Sequence, residues 1–418
     1  MTQSAIAPVL IAGAGIGGLT LALELHRLGV PCRVFEAAPD LRPLGLGINV
    51  QTSATLVFRR LGIEDEIAAT APETTESVYH NRHGQEIWRE PRGRAAGYPI
   101  PQYSIHRGEL QMILYRAALA RLGAQNILLG HRLAGFEGRG DEVIARFDTA
   151  EGEKTYAGSA LIGADGIHSV VRKTLYPDEG EPIYSGRMMY RGRTLWTPYM
   201  SGRSMVWFGH GGQKFMGYPM SVAAEKDGKA MINFVLTLKV DQPAPQRADW
   251  NRRISNEEAL KPFRGWHFDR LDVHGVIENA EEIFEFPLVD RDPLPRWTHG
   301  RVTLLGDAAH PMYPAGSNGA AQAVIDAETL ADLLAKTDVP AALDRYDDLR
   351  REASAQVVLA NRTDGPDQVL NLAEERAPDG FDDIEDVIPH EERVAIAAAY
   401  KKTAGFSVEQ IAQRATAD

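Results

Sequence analysis

Three apolar runs along the chain end in the same way. Val9-Leu10-Ile11-Ala12 leads into Gly13-Ala14-Gly15-Ile16-Gly17-Gly18, Ala160-Leu161-Ile162 into Gly163-Ala164-Asp165-Gly166, and Val302-Thr303-Leu304-Leu305 into Gly306-Asp307-Ala308-Ala309-His310-Pro311. A short apolar run closed by glycine predicts a buried strand leaving its sheet through a tight turn. Residues 8–36 predict strand, glycine turn, helix and strand. The helix sets Leu19, Ala22, Leu23 and Leu25 on its packing side and stops at Gly29 before Pro31, and Arg33-Val34-Phe35 is the returning strand. Apolar residues at helical spacing predict further helices over 53–70, 107–122 and 318–335, and an Ala-rich one over 391–401. From 76 to 105, and again from 180 to 290, the texture changes to short runs broken by Gly and Pro. Met188–Arg193, Ser204–Phe208, Lys214–Tyr218 and Ala230–Leu238 read as strands of a mostly antiparallel sheet inserted into the first domain. Asp292-Pro293-Leu294-Pro295 marks the return.

The first turn carries chemistry. Gly13, Gly15 and Gly18 fit GxGxxG between a strand and a helix: one glycine for the turn, one for close approach of a pyrophosphate, one for helix–sheet packing. The helix N-terminus favours negative charge there. A glycine turn that serves packing alone is the competing reading. Glu36, at the end of the second strand, weighs against it, because an acidic side chain in that register accepts hydrogen bonds from a ribose 2′-hydroxyl.

Composition narrows the field. A chain of 418 residues with formal net charge −12 has no basic excess for nucleic acid or an anionic membrane surface. Cys32 is the single cysteine, so neither an intrachain disulfide nor a cysteine metal cluster can form, and His80 and His83 read as loop residues without a completing metal set. With no secretory leader pattern and no bilayer-spanning apolar run, a cytoplasmic protein is expected.

The three glycine motifs, in this order and spacing, resemble the FAD-dependent aromatic hydroxylases of the p-hydroxybenzoate hydroxylase type. Gly163–Ser169 is similar to that family's DG motif and Gly306–Pro311 to its GD motif. Arg42–Asn49, Pro101–Met112 and Val289–His310 carry a narrower resemblance to the phenazine-carboxylate monooxygenases within it; the tail after 365 does not match. The resemblance implies an α/β fold: a discontinuous Rossmann-like FAD-binding domain (1–75, 101–178, 291–365), an inserted substrate-binding sheet domain (76–100, 179–290) and a C-terminal helical extension (366–418). It implies FAD contacts at Gly13, Gly15, Gly18, Glu36, Arg42, Gly47, Arg107, Asp165 and Asp307. The loop Pro314, Gly316, Asn318 and Gly319 should run under the isoalloxazine, with the next helix aimed at the ring.

The implied reaction uses NADH or NADPH and O2. Reduced flavin forms a C4a-hydroperoxide that hydroxylates an aromatic or N-heteroaromatic small molecule, with decarboxylation where the attacked carbon bears a carboxylate. Asn49, Tyr218 and Pro314 are expected at the reacting edge. Tyr190, Arg191, Trp207, Lys214, Phe234 and Met312 are the substrate-wall candidates, with Arg191, Arg193 and Lys214 able to steer a carboxylate. Partners beyond these small molecules reduce to a monomer or homodimer. A tetracycline-type oxygenase on the same fold, a non-catalytic FAD-binding module and a plain NAD-dependent dehydrogenase are the alternatives; a halogenase is disfavoured by the lack of a Trp-x-Trp-x-Ile run.

Overall fold

A computed structural model describes residues 7–43, 45–241, 252–266 and 268–417. Leu44, within the Arg42–Asn49 stretch, lies outside them. Five short strands form a parallel sheet in the order Val302–Leu304, Ala160–Gly163, Val9–Ala12, Cys32–Phe35, Ile127–Leu128. Val9–Ala12 and Ala160–Gly163 are buried throughout, which is why they are apolar at consecutive positions rather than alternating. Parallel pairing sets Ala12 against Gly163 and Gly163 against Leu304. The three glycine turns, far apart in sequence, therefore leave the carboxyl ends of three adjacent strands side by side. That edge is where open α/β sheets bind ligands.

Helix Ile16–Arg27 follows the first turn and packs against helix Gly319–Leu334. Gly17 permits the approach, since a Cβ there would lie 2.6 Å from Leu305 Cδ2 and 3.2 Å from Ala323 Cβ. Arg107–Leu122 forms the helix expected over 107–122. The helix expected over 53–70 is instead two, Thr52–Arg60 and Glu64–Thr70: Gly62, at φ 65°, closes the first with bonds from Gly62 N to Arg59 O and Ile63 N to Phe58 O.

The second sheet has eight strands in the order Arg252–Ile254, Ile283–Asp290, Ile183–Trp196, Ala230–Lys239, Gln213–Pro219, Ser204–His210, Glu76–His80, Glu86–Pro91. Every neighbouring pair is antiparallel except Ser204–His210 with Glu76–His80, which is parallel. His80 thus ends a buried strand and is not a loop residue. One face of this sheet, with Val206, Phe208, Phe215, Ile232, Phe234 and Leu236, packs on Phe263, Val276 and Ile277. The other turns toward the parallel sheet and the C-terminal segment, where Trp207, Tyr218 and Met205 meet Val369, Leu370 and Ile388. Two features go beyond the sequence pattern: a three-stranded antiparallel sheet of Arg132–Arg139, Glu142–Thr149 and Gly152–Gly158, and a long helix Val339–Arg362. The tail adds helices Gln368–Arg376, His390–Thr403 and Val408–Ala417.

Candidate active site

A cavity of about 360 Å³ lies between the carboxyl edge of the parallel sheet and the inner face of the eight-stranded sheet. Its first wall is built by the glycine turns. Gly13 adopts φ 114°, and a Cβ on it would lie 2.3 Å from Ala164 O; one on Gly18 would lie 2.1 Å from Gly13 O. These two glycines are required by backbone packing at the turn itself. Gly15 differs: it lines the cavity and a Cβ there would meet nothing within 4 Å, so its backbone is open to a ligand. Glu36 stands beside the turn, its carboxylate accepting from Ala14 N at 2.9 Å and Ala38 N at 2.8 Å. Asp307 and Arg107 face the cavity. Asp165 lies just behind, between cavity-lining Ala164 and Gly166. One of its oxygens accepts from Val170 N at 2.7 Å; the other, Oδ1, is buried without a partner. Burial pushes the Asp165 carboxyl above its usual range against these hydrogen bonds.

A loop closes the second wall. Pro314, Gly316 and Gly319 line the cavity, and Gly316 has φ 66°. Asn49 Nδ2 donates to Ser317 Oγ at 3.1 Å, and Asn49 Oδ1 accepts from Ser104 Oγ at 2.6 Å; Gln51 Nε2 donates to Gly316 O at 3.1 Å. The N-terminus of helix Gly319–Leu334 opens onto the cavity through Gly319, Ala320 and Ala323. Asn318, expected at this surface, is fully buried behind it, its Nδ2 donating to Tyr400 Oη at 2.8 Å. Gly47 seats this segment on the eight-stranded sheet. Its N–H donates to Asn233 Oδ1 at 2.7 Å, and a Cβ would lie 2.8 Å from the Tyr218 ring.

The third wall follows the strict alternation of the sheet. Met189 and Arg191, Lys214, Met216 and Tyr218, and Val235 and Thr237 face the cavity, with Trp207, Leu288 and Met312. Tyr190 and Phe234 point to the opposite face and pack in the outer core, which corrects their placement as substrate contacts: a strand's neighbours alternate sides, so Arg191 inside puts Tyr190 outside. Arg42 is exposed, outside the cavity lining, and pairs with Asp40 at 2.9 Å. Arg193 pairs with Glu281 at 2.8 Å near the surface. Lys214 is paired with Asp367, and Arg187 with Asp364 at 2.7 Å. Arg191 has no such partner among the described residues. Its Nη2 donates to Gly47 O at 2.9 Å, and its Nε is buried and unpaired. Burial foremost, with Arg107 nearby, holds its pKa below the ordinary arginine value.

Residues 6–361 match the model of the FAD binding domain family. The chain belongs to that family. Phenazine 1,6-dicarboxylic acid hydroxylase PhzS of Lysobacter antibioticus is 44% identical over 370 residues, which cover 87% of this chain and 91% of the relative. Aurachin C monooxygenase/isomerase of Stigmatella aurantiaca is 35% identical over 362 residues, covering 84% and 86%. A solved salicylate hydroxylase substrate complex superposes with a TM-score of 0.76 at 25% identity, covering 99% of this chain and 98% of that one. The protein is an FAD-dependent aromatic monooxygenase that draws on reduced nicotinamide and O2. No helix of this monooxygenase, among the described residues, is long and apolar enough to cross a membrane.

The alternation that places Met189, Met216, Val235 and Thr237 in its cavity was readable from the strands once one inward residue was known. Asp364, Asp367 and Asn361 of the monooxygenase carry no such pattern, because they reach the cavity from a helix end and a turn.

Proposed function

We propose that the Gly13–Gly18 turn, Glu36, Arg107, Asp165, Asp307 and the Pro314–Gly319 loop hold FAD, and that the substrate is an aromatic or N-heteroaromatic acid whose carboxylate pairs with Arg191. Two features support the cofactor seat. Gly15 leaves the N-terminus of helix Ile16–Arg27 open to a pyrophosphate, and Asp165 Oδ1 is a buried acceptor beside the cavity that lacks a donor. The residues present therefore fit FAD. When bound, FAD supplies electron transfer from NAD(P)H to O2 and delivery of one oxygen atom to the ring. Residues 1–75, 101–178 and 291–365 hold the cofactor in this reading, and 76–100 with 179–290 choose the substrate.

The chain's own contribution is placement and electrostatics. The N-terminus of helix Gly319–Leu334 presents partial positive charge to the cavity and favours an anionic cofactor ring. Met189, Met216, Val235, Leu288 and Met312 make an apolar channel that excludes water from the reacting carbon. Asn49, Tyr218 and Pro314 border the place where cofactor and substrate meet. Burial pushes the Tyr218 hydroxyl well above its usual pKa, so it stays protonated and serves as a hydrogen-bond donor or packing surface, not a base.

Arg191 carries the substrate assignment: a cation in an apolar wall without a counter-ion is a binding site for an anion. The names of the hydroxylases PhzS and salicylate hydroxylase point to aromatic acids as well. The test is substrate-stimulated NAD(P)H oxidation across aromatic acids and their primary amides, with mass spectrometry of the products. Acids should exceed amides by at least tenfold in kcat/KM. Arg191→Met should lower kcat/KM for the acids about 10- to 100-fold, the value of a lost charged hydrogen bond. Equal stimulation by acid and amide would sink the assignment. Gain of one oxygen identifies hydroxylation; gain of oxygen with loss of CO2 identifies the decarboxylating type.

A further inference from the structure

Three cations of the eight-stranded sheet face the cavity: Arg187, Arg191 and Lys214. The strand register puts them in order. Arg191 pairs across to Val235 and on to Met216; two residues along, Met189 pairs to Thr237 and on to Lys214; two further along comes Arg187. At about 3.3 Å per residue, Lys214 lies about one ring width from the Arg191 row and Arg187 about twice that. Such a ladder of positive charge would suit a molecule with two carboxylates. Two acidic residues intervene. Asp367 pairs with Lys214, and Asp364 takes both Arg187 amino groups, at 2.7 and 3.4 Å.

Both carboxylates come from one turn after residue 361, where the family match ends. The turn is fixed from several sides. Asp364 has φ 64° and Gly365 φ 48°, and a Cβ on Gly365 would lie 2.8 Å from the Tyr400 ring. Asp367 N donates to Asp364 O at 2.8 Å; Asn371 Nδ2 donates to Asp364 Oδ2 at 2.7 Å, and Asn371 Oδ1 accepts from Gly211 N at 2.7 Å. Burial opposes ionisation of Asp364, but the Arg187 hydrogen bonds and charge outweigh it and hold the carboxyl below its usual range. Asp367 is almost fully buried and its Oδ1 has no partner. That oxygen adds an uncompensated acceptor where a second substrate carboxylate would have to sit.

We propose that Asp364 and Asp367 are specificity-determining residues that restrict the substrate to one carboxylate, by neutralising Arg187 and Lys214 and leaving Arg191 as the sheet cation open to an anion. The proposal rests on the pairing of a substrate carboxylate with Arg191. A dianion entering this cavity must displace an existing ion pair or lie against like charge, and either costs binding. A monoanion meets Arg191 at one end and a neutral polar wall at the other. The selection is made by repulsion and not by a new contact.

The experiment is equilibrium binding of phenazine-1-carboxylate and phenazine-1,6-dicarboxylate to the oxidised holoenzyme, read from perturbation of the flavin spectrum. The wild type should bind the monocarboxylate at least tenfold more tightly. Asp367→Asn should shrink that ratio by at least tenfold, chiefly by strengthening the dicarboxylate, and Asp367→Glu should restore it. Wild-type binding of the two acids with equal affinity overturns the proposal without touching the Arg191 reading; so does an unchanged ratio in Asp367→Asn. If neither acid perturbs the flavin, the carboxylate reading falls and this proposal with it. The wild-type ratio needs no variant, so the first outcome stands even if Asp367→Asn fails to fold.

Discussion

Asp326 supports the third glycine turn from behind. It is fully buried on helix Gly319–Leu334, and its Oδ2 accepts from Gly306 N at 3.1 Å and meets His310 Nε2 at 2.6 Å. Its Oδ1 accepts from Arg350 Nε at 2.8 Å, and Arg350 Nη2 continues to Gln322 Oε1 at 2.6 Å. Burial alone would raise the carboxyl; His310 and Arg350 reverse that and hold it below its usual range. Asp326→Asn leaves Arg350 without its counter-ion and should cost about 3–5 kcal/mol of stability, seen as a lower Tm, together with loss of FAD. Asp307→Ala should behave differently: FAD retention weakens while Tm of the apoprotein barely moves, because Asp307 faces the cavity and supports no core packing. Thermal melts of apo- and holoprotein with flavin fluorescence separate the two, and full flavin content in purified Asp307→Ala would refute its assignment. Asp307 was legible because it follows an apolar run and a glycine. Asp326 sits mid-helix with no motif around it, and only the fold brings it beneath Gly306.

The loop from Pro314 to Gly319 and helix His390–Thr403 act as one unit, although the first lies within the family match and the second beyond it. Tyr400 joins them. Its hydroxyl accepts from Asn318 Nδ2 and lies 2.7 Å from Asn361 Oδ1 and 3.0 Å from Ala315 O. Its ring fills the space beside Gly316, where a Cβ would lie 2.3 Å from the hydroxyl oxygen. Gln322 Nε2 adds a bond to Ala404 O at 2.9 Å. Tyr400→Phe keeps the ring but leaves the buried Asn318 amide without this acceptor, a cost of about 1–3 kcal/mol. FAD affinity should fall about tenfold by reconstitution of the apoprotein, with a smaller change in Tm. Gly316→Ala combines a left-handed backbone with a clash and should do more damage than Tyr400→Phe on both measures. The reverse order would show that the loop is held chiefly by the hydroxyl. The loop itself could be read from Pro314-Ala315-Gly316-Ser317-Asn318-Gly319, but its clamp could not, because Tyr400 stands 82 residues from Asn318 in an ordinary Ala-rich helix.

Across the whole molecule, the eight-stranded sheet places its own acid sensitivity. His80 is buried, stacked on Phe208 at 4.5 Å, with Nδ1 3.2 Å from Trp207 O. Burial lowers its pKa from 6.5 to about 4. The folded protein therefore resists protonation more than the unfolded chain: the stabilisation is intact above pH 6.5 and is lost as pH falls toward 4. The loss approaches about 3 kcal/mol. Urea midpoints at pH 7 and pH 4 should drop further in the wild type than in His80→Gln, and equal drops would remove His80 from the account. The sequence by itself determined the α/β character, the three glycine turns, the helix limits at 107–122 and the presence of an inserted sheet, because each is set by local constraints: consecutive apolar residues, glycine geometry, helical spacing. Tertiary structure alone decided which face of each strand looks into the cavity, so that Arg191 and Met189 line it while Tyr190 and Phe234 do not. It decided that Lys214 and Arg187 are already paired by Asp367 and Asp364, and that Asp326 braces the third glycine turn and Tyr400 the Pro314–Gly319 loop. Those outcomes depend on strand register and on contacts between residues distant in the chain, and ion pairing exists only once packing has brought both charges to the same wall.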